Sequence, residues 1–204
     1  IMKKTKKALI SVSDKKNLKN LLKVLTYYKI NLISSGGTYK EIKRLKFKCL
    51  EVGEYTNSPE ILGGRVKTLH PKIHAGILSK RNNQSHQNDL KNHNFEEIDF
   101  VIVNFYPFEK NLKQTNNHMK IIENIDIGGP TMVRAAAKNY NDVTVITSPN
   151  QYDELISEIK NNKGSTTLPF REKMSLEAFS ETAYYDAIIS NYFNKINKII
   201  FPKK

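Results

Sequence analysis

The stretch ALISVSDKKNLKNLLKVLTYYKINLISSGGT, residues 8–38, decides the fold. It opens with a short apolar run rich in β-branched residues, 8–13, which reads as a strand. Asp14 then starts a helix as its cap, with Leu18, Leu21, Leu22 and Leu25 at the spacing of one apolar helix face. The pattern repeats at once: 30–34 reads as a second strand, Ser35, Gly36 and Gly37 as a turn, and Thr38 as the cap of a helix running through Ile42 and Leu45. Two successive strand–helix units require crossovers, and crossovers join parallel strands. The expected fold is α/β, a central, mostly parallel sheet flanked by helices.

Further along, FKCLEV (47–52) is a candidate third strand. DFVIVNFY (99–106) is a continuous apolar run of the kind that is buried on both faces of a parallel sheet, and DVTVITS (142–148) is another. Residues 119–124 read as a short helix, and Gly129-Pro130 precedes a helix over 131–138 with proline in its first turn. The polar stretches 80–94 and 161–167 read as irregular and exposed. Residues 170–198 read as a long amphipathic helix that packs on the domain through Phe179, Ala183, Ala187, Ile188 and Phe193. FPKK at the end reads as the start of a linker, and Ile1 before Met2 as an addition to the natural start.

The 204 residues, 39% of them apolar, are enough for one substantial core. No apolar run approaches the roughly 20 residues that cross a bilayer, so a cytoplasmic protein with no membrane partner is expected. The formal charge of +13 invites a nucleic-acid reading. Most of the 33 basic residues are scattered lysines, however, whereas groove and single-strand binders favour arginine with paired aromatic platforms. A small anionic ligand fits better than nucleic acid. A lone Cys49 forms no internal disulfide, and no Cys/His cluster has zinc spacing, so neither a metal nor a redox centre is implied.

Strand ends that run into helix starts are where open α/β sheets bind ligands. Ser11, Ser13 and Lys15 follow the first strand, and Ser35, Gly36, Gly37 and Thr38 the second. Hydroxyls, free N–H groups and helix dipoles there form a phosphate cradle, although the same residues also suit plain caps and turns. Neither a dinucleotide glycine fingerprint nor a Walker lysine loop is present, which disfavours NAD and ATP. GGRVKTLHPKIH (63–74) gathers glycines, Arg65, Lys67, Thr68 and two histidines; Pro71 between His70 and His74, with no Glu, argues against a helical zinc site. Asn104 and Tyr106 end a buried strand, and Asp126, Ile127, Gly128 and Gly129 precede a helix that carries Lys138 at its far end. Tyr106 as core with a wet tip and Asp126 as a helix-dipole residue are the plainer alternatives.

Together ALISVSDK, LISSGGT, GGRVKTLHPKIHAGIL, VNFYPF, NIDIGGPTMVRAAAKN and FREKMSLEAFSETAYYDAIISNYF resemble, in order and over nearly the whole chain, the N-terminal cyclohydrolase domain of the bifunctional aminoimidazole carboxamide ribonucleotide transformylase and IMP cyclohydrolases. The resemblance implies a methylglyoxal-synthase-like fold over 2–198, with 199–204 leading to a C-terminal transformylase domain. It implies ring closure of the formylated purine nucleotide precursor to inosine monophosphate with loss of water, without cofactor or metal, in a homodimer. By motif position, Lys67, Tyr106, Asp126 and Lys138 form the catalytic group. Asp126 either orients Tyr106 or accepts the amide proton, and the two lysines share oxyanion stabilisation and proton supply. Ser11, Ser13, Lys15, Ser35, Gly36, Gly37, Thr38, Arg65 and Thr68 are assigned to phosphate and ribose, and Asn104, Ile127, Gly128 and Gly129 to the base. A rival within the same fold is a nucleotide-sensing module without catalysis, which needs the cradle but not the catalytic group.

Overall fold

The computed structural model describes residues 6–198. Its centre is a five-stranded sheet, parallel throughout, in the order β3-β2-β1-β4-β5. β1 (Lys7–Val12) and β4 (Phe100–Asn104) lie side by side in the middle, with Leu9 in register with both Ile33 and Val101. β2 (Asn31–Ser34) and β3 (Leu50–Glu51) extend one side, and β5 (Thr144–Ile146) the other. Ala8, Leu9, Ile10, Val101, Ile102 and Val103 are fully enclosed, which is why both central strands read as unbroken apolar runs.

Crossovers in parallel sheets are right-handed. The path from β1 through α1 (Leu18–Tyr27) to β2, and through α2 (Gly36–Arg44) to β3, therefore lays its helices on one face. The path from β4 to β5 runs in the opposite direction and lays α8 (Gly128–Lys138) on the other. α9 (Tyr152–Asn161) joins α1, whereas α4 (Pro71–Leu78) and α10 (Leu168–Ile196) pack with α8. The short α3 (Val52–Thr56) follows β3, α5 (Gln84–Asn92) lies in the long β3–β4 connection, and α6 (Phe108–Gln114) and α7 (His118–Glu123) lead from β4 to α8. Strand order reverses between β1 and β4, and their carboxyl ends diverge there into a crevice.

Several sequence expectations need correction. α1 starts at Leu18, after Asn17 in a left-handed conformation; Asp14 is not its cap but closes a local turn, its Oδ1 accepting the Lys16 N–H at 2.9 Å. Thr38 is not a cap either: Ser35 holds that position, and Thr38 is buried inside α2. Residues 84–92, expected to be irregular, form α5, which buries only Leu90 and so lacks an apolar period; Asn83 caps it by accepting the His86 N–H at 3.1 Å. α4 follows a cap at His70, whose Nδ1 accepts the Lys72 N–H at 3.0 Å, with Pro71 in the first turn. In α10 the buried residues Phe170, Met174, Ala178, Thr182 and Tyr185 recur every three to four positions. The expected packing stripe from Phe179 through Ala183 and Ala187 lies one residue, about 100°, further round and is exposed. The linker expected at 199–204 lies outside the described residues. Among these residues no helix is long and apolar enough to cross a membrane.

Candidate functional site

The crevice at the strand-order reversal holds a cleft of about 600 Å³, within the range of small-molecule sites. Every residue assigned to substrate from the sequence lines it, as do Lys67, Tyr106 and Asp126.

One end is built for an anion. Ser35 is extended ahead of Gly36, whose φ of 56° is a left-handed conformation that glycine takes without strain, and no side chain caps α2. The first N–H groups of α2 thus face the cleft with the positive end of the helix dipole. Two ammonium groups flank them: a β-carbon placed on Gly37 would lie 3.9 Å from Lys15 Nζ, and one on Gly36 3.4 Å from Lys67 Nζ. Lys15 is folded back by bonds to the Val12 and Ser13 carbonyls at 3.2 and 3.4 Å, and Ser11 and Ser13 stand beside it. The Thr38 hydroxyl is committed to protein: it accepts the Val12 N–H at 3.0 Å and donates to the Val12 carbonyl at 3.1 Å, pinning α2 to the end of β1.

The 61–68 segment forms one wall. Leu62, Gly63 and Gly64 have φ of 53°, 62° and 92°, a tight reversal closed by the Ile61–Val66 bridge. It presents Lys67 to Glu60, 3.1 Å away, and Arg65 to Glu123 of the facing rim, 3.3 Å away. The Arg65 pair is exposed and contributes little stability, on the order of 0–1 kcal/mol, but it shows that Arg65 reaches an acceptor across the cleft. Thr68 is buried against Gly128, where a β-carbon would come within 2.7 Å of its hydroxyl.

Asn104 closes the floor. Its Oδ1 accepts the Asp14 N–H at 2.8 Å and its Nδ2 donates to the Asp14 carbonyl at 2.9 Å, so its amide locks the β1 and β4 exits together. Tyr106 stands at the rim, 57% exposed. Asp126 lies beside it: its carboxylate accepts the Gly129 N–H at 2.9 Å and also takes the Tyr106 backbone N–H. Burial raises the Asp126 carboxyl above its ordinary value, and these two bonds oppose the shift in part. The helix-start role and a place in the cleft therefore coincide in one side chain. A β-carbon on Gly129 would collide with that carboxylate. Ile127, 57% exposed, offers an apolar surface beside it.

Lys138 does not join this group. α8 points its first turn at the cleft and ends at Lys138, so ten residues at 1.5 Å each carry that exposed lysine about 15 Å away, toward the opposite edge of the sheet. His74 is half-buried in α4 and bonded to the Thr68 backbone, with burial lowering its pKa; it packs as a neutral ring. Among the described residues no group of three His, Cys, Asp or Glu is placed to hold a metal. Sequence reasoning missed Glu60, Glu123 and Tyr185. Tyr185 Oη accepts the Asp126 N–H at 2.8 Å from α10, and no motif spacing announces a partner 59 residues away.

A parallel sheet of this order with a ligand crevice at the β1–β4 reversal defines a class, and the chain belongs to the family of MGS-like domains, which matches residues 17–131. Residues 136–204 match the family described as AICARFT/IMPCHase bienzyme. The chain is 50% identical over 189 residues to the Bifunctional purine biosynthesis protein PurH of Prochlorococcus marinus strain MIT 9301, covering 92% of this chain and 36% of that protein. It is 45% identical over 196 residues to the protein of the same name from Bradyrhizobium diazoefficiens, covering 96% and 37%. The chain thus spans little more than a third of the length of these curated relatives. A crystal structure of ForH superposes with a TM-score of 0.83 at 27% identity, covering 93% of this chain and 100% of that one.

Proposed function

We propose that this chain acts in purine biosynthesis as an IMP cyclohydrolase, closing the second ring of a formylated aminoimidazole carboxamide ribonucleotide. The observation that carries the reading is the pairing, in one cleft, of an anion pole at the α2 start with a half-buried carboxyl at the α8 start whose pKa burial raises. The names and matched families of the relatives point the same way.

In this reading the 5′-phosphate sits on the first N–H groups of α2 beside Lys15, with Arg65 swinging from Glu123 to meet it. The base reaches toward Ile127 and Asn104. The carboxamide nitrogen attacks the formyl carbon, forming the ring N–C bond while the formyl oxygen takes up negative charge. Holding the two groups in contact supplies much of the rate. Asp126, its pKa raised, accepts the amide proton; Lys67 stabilises the oxyanion and the Tyr106 hydroxyl lies at the rim to relay protons. Protonation of the hydroxyl and cleavage of the C–O bond release water, and loss of the proton on the former formamide nitrogen leaves inosine monophosphate. No step here needs a metal or redox group. Lys138, assigned by resemblance alone, ends α8 about 15 Å from the turn that faces the cleft and is not among the residues that line it.

The bonds from Asp126 to Gly129 and Tyr106 would serve equally well in a nucleotide-sensing module that only binds. An absorbance assay for inosine monophosphate formation by this chain, run after exhaustive chelation, separates the two: turnover supports the enzyme, and nucleotide binding without turnover supports the sensor. A C-terminal transformylase domain in the full-length protein, a homodimer and a cytoplasmic location belong to the same proposal.

A further inference from the structure

α10 looks like a packing helix, yet one of its residues touches both segments that carry the proposed proton-transfer groups. Tyr185 is 5% exposed. Its ring lies 5.0 Å from Phe105 and 6.4 Å from Phe108, centroid to centroid, so it braces the segment on either side of Tyr106. Its hydroxyl oxygen accepts the Asp126 backbone N–H at 2.8 Å. The Asp126 carboxylate in turn takes the backbone N–H groups of Gly129 and Tyr106. A closed circuit results: Tyr185 to 105–108 by packing, Tyr185 to 126 by hydrogen bond, and 126 back to 106.

We propose that Tyr185 is a positioning residue for ring closure, a role that rests on the reading of Asp126 and Tyr106 given above. It sets the distance between the β4 exit and the α8 start, which otherwise belong to separate segments with two short helices between them. Burial pushes the Tyr185 hydroxyl up to about 12, so the group stays neutral and its oxygen accepts a backbone donor without bringing a second negative charge beside Asp126. Tyr185 also lines a smaller cavity of about 450 Å³ that shares Asn104 and Tyr106 with the cleft.

Tyr185→Phe keeps the ring on Phe105 and Phe108 and removes only the acceptor. In the full chain kcat falls by about 10-fold, while KM and the dissociation constant for inosine monophosphate stay within about 2-fold. In the same variant the Asp126 amide exchanges with solvent at least about 10-fold faster. Because the hydroxyl acts through Asp126, Tyr185→Phe added to Asp126→Asn lowers kcat by no more than about 2-fold further. A role confined to packing gives instead the same loss in both backgrounds, and that result, or a single variant within 2-fold of the parent, overturns the proposal. Should Asp126→Asn alone retain full turnover, the chemical reading of Asp126 falls, and amide exchange decides separately whether Tyr185 holds residue 126. If the substitution lowers the folded fraction, the unaltered protein is the test: rapid exchange of its Asp126 amide refutes the clamp.

Discussion

Asp126→Asn separates chemistry from architecture at the point where the two coincide. The carboxylate accepts two backbone N–H groups, from Gly129 and Tyr106, and burial holds its pKa above the ordinary 3.8. Asparagine keeps one oxygen for one donor and turns an NH₂ toward the other. Losing a bond to a charged acceptor costs about 1.5–3 kcal/mol, whereas removing a buried charge returns part of that. The net loss of stability is therefore about 1–2 kcal/mol, measurable by urea titration. Turnover behaves differently: a base removed from the amide proton costs at least roughly 10²-fold, about 2.7 kcal/mol of barrier. Product affinity stays nearly unchanged, since the charge acts on the transition state. The pH dependence has a definite sign. With its pKa raised on folding, Asp126 binds its proton more tightly in the folded chain, so stability falls as pH rises from about 3.8 through the raised value. The Asn variant lacks that step, and the parent's acid limb of kcat sits above the ordinary carboxylate range. Near-normal turnover in a folded Asp126→Asn variant refutes the catalytic reading and leaves a helix-start residue.

Lys15→Ala raises KM and the product dissociation constant by about 10-fold while kcat changes by less than about 3-fold, since its ammonium belongs to the anion pole; equal loss in kcat would place it in the chemistry. Thr38→Val removes the two bonds to Val12 and destabilises the chain by about 1–3 kcal/mol in urea, with the larger part of its effect on folding; an unchanged midpoint would contradict the buried tie. Lys138→Ala leaves product affinity within about 2-fold by calorimetry, and a 10-fold weakening would mean that this lysine reaches a cleft after all.

What could be read from the sequence was what repeats or what punctuates. β1 and β4 were visible because both faces are enclosed, leaving Leu9, Ile10 and Val101 to Val103 no polar interruptions. The anion pole was visible because a serine and two glycines directly follow a strand. α5 was hidden because a helix that buries one leucine has no apolar period to detect. The β3 strand shrank to two residues because only Leu50 and Glu51 find register partners, in Ile33 and Ser34, at the sheet edge. Thr38 and Asn104 line the cleft, but their polar atoms serve Val12 and Asp14. Residue type alone does not say whether a hydroxyl or amide turns to ligand or to backbone.

Lys138 marks the deeper limit. It stands twelve positions after Asp126 in one continuous motif, and proximity in the chain invites joining them in one site. A helix between two residues converts sequence distance into axial distance, and α8 spends nearly all of that interval running straight away from the cleft. Tyr185 is the converse case. It lies 59 positions from Asp126 and yet contacts it, because α10 packs on α8 and against α6, and so returns to the cleft. The site is therefore held at two depths. Strand ends and helix starts supply the groups that face the ligand, and a helix remote in sequence fixes how far apart two of those groups stand. Turn motifs are short enough to recognise in sequence, whereas spacing between segments is set by packing and becomes visible only once the chain is folded.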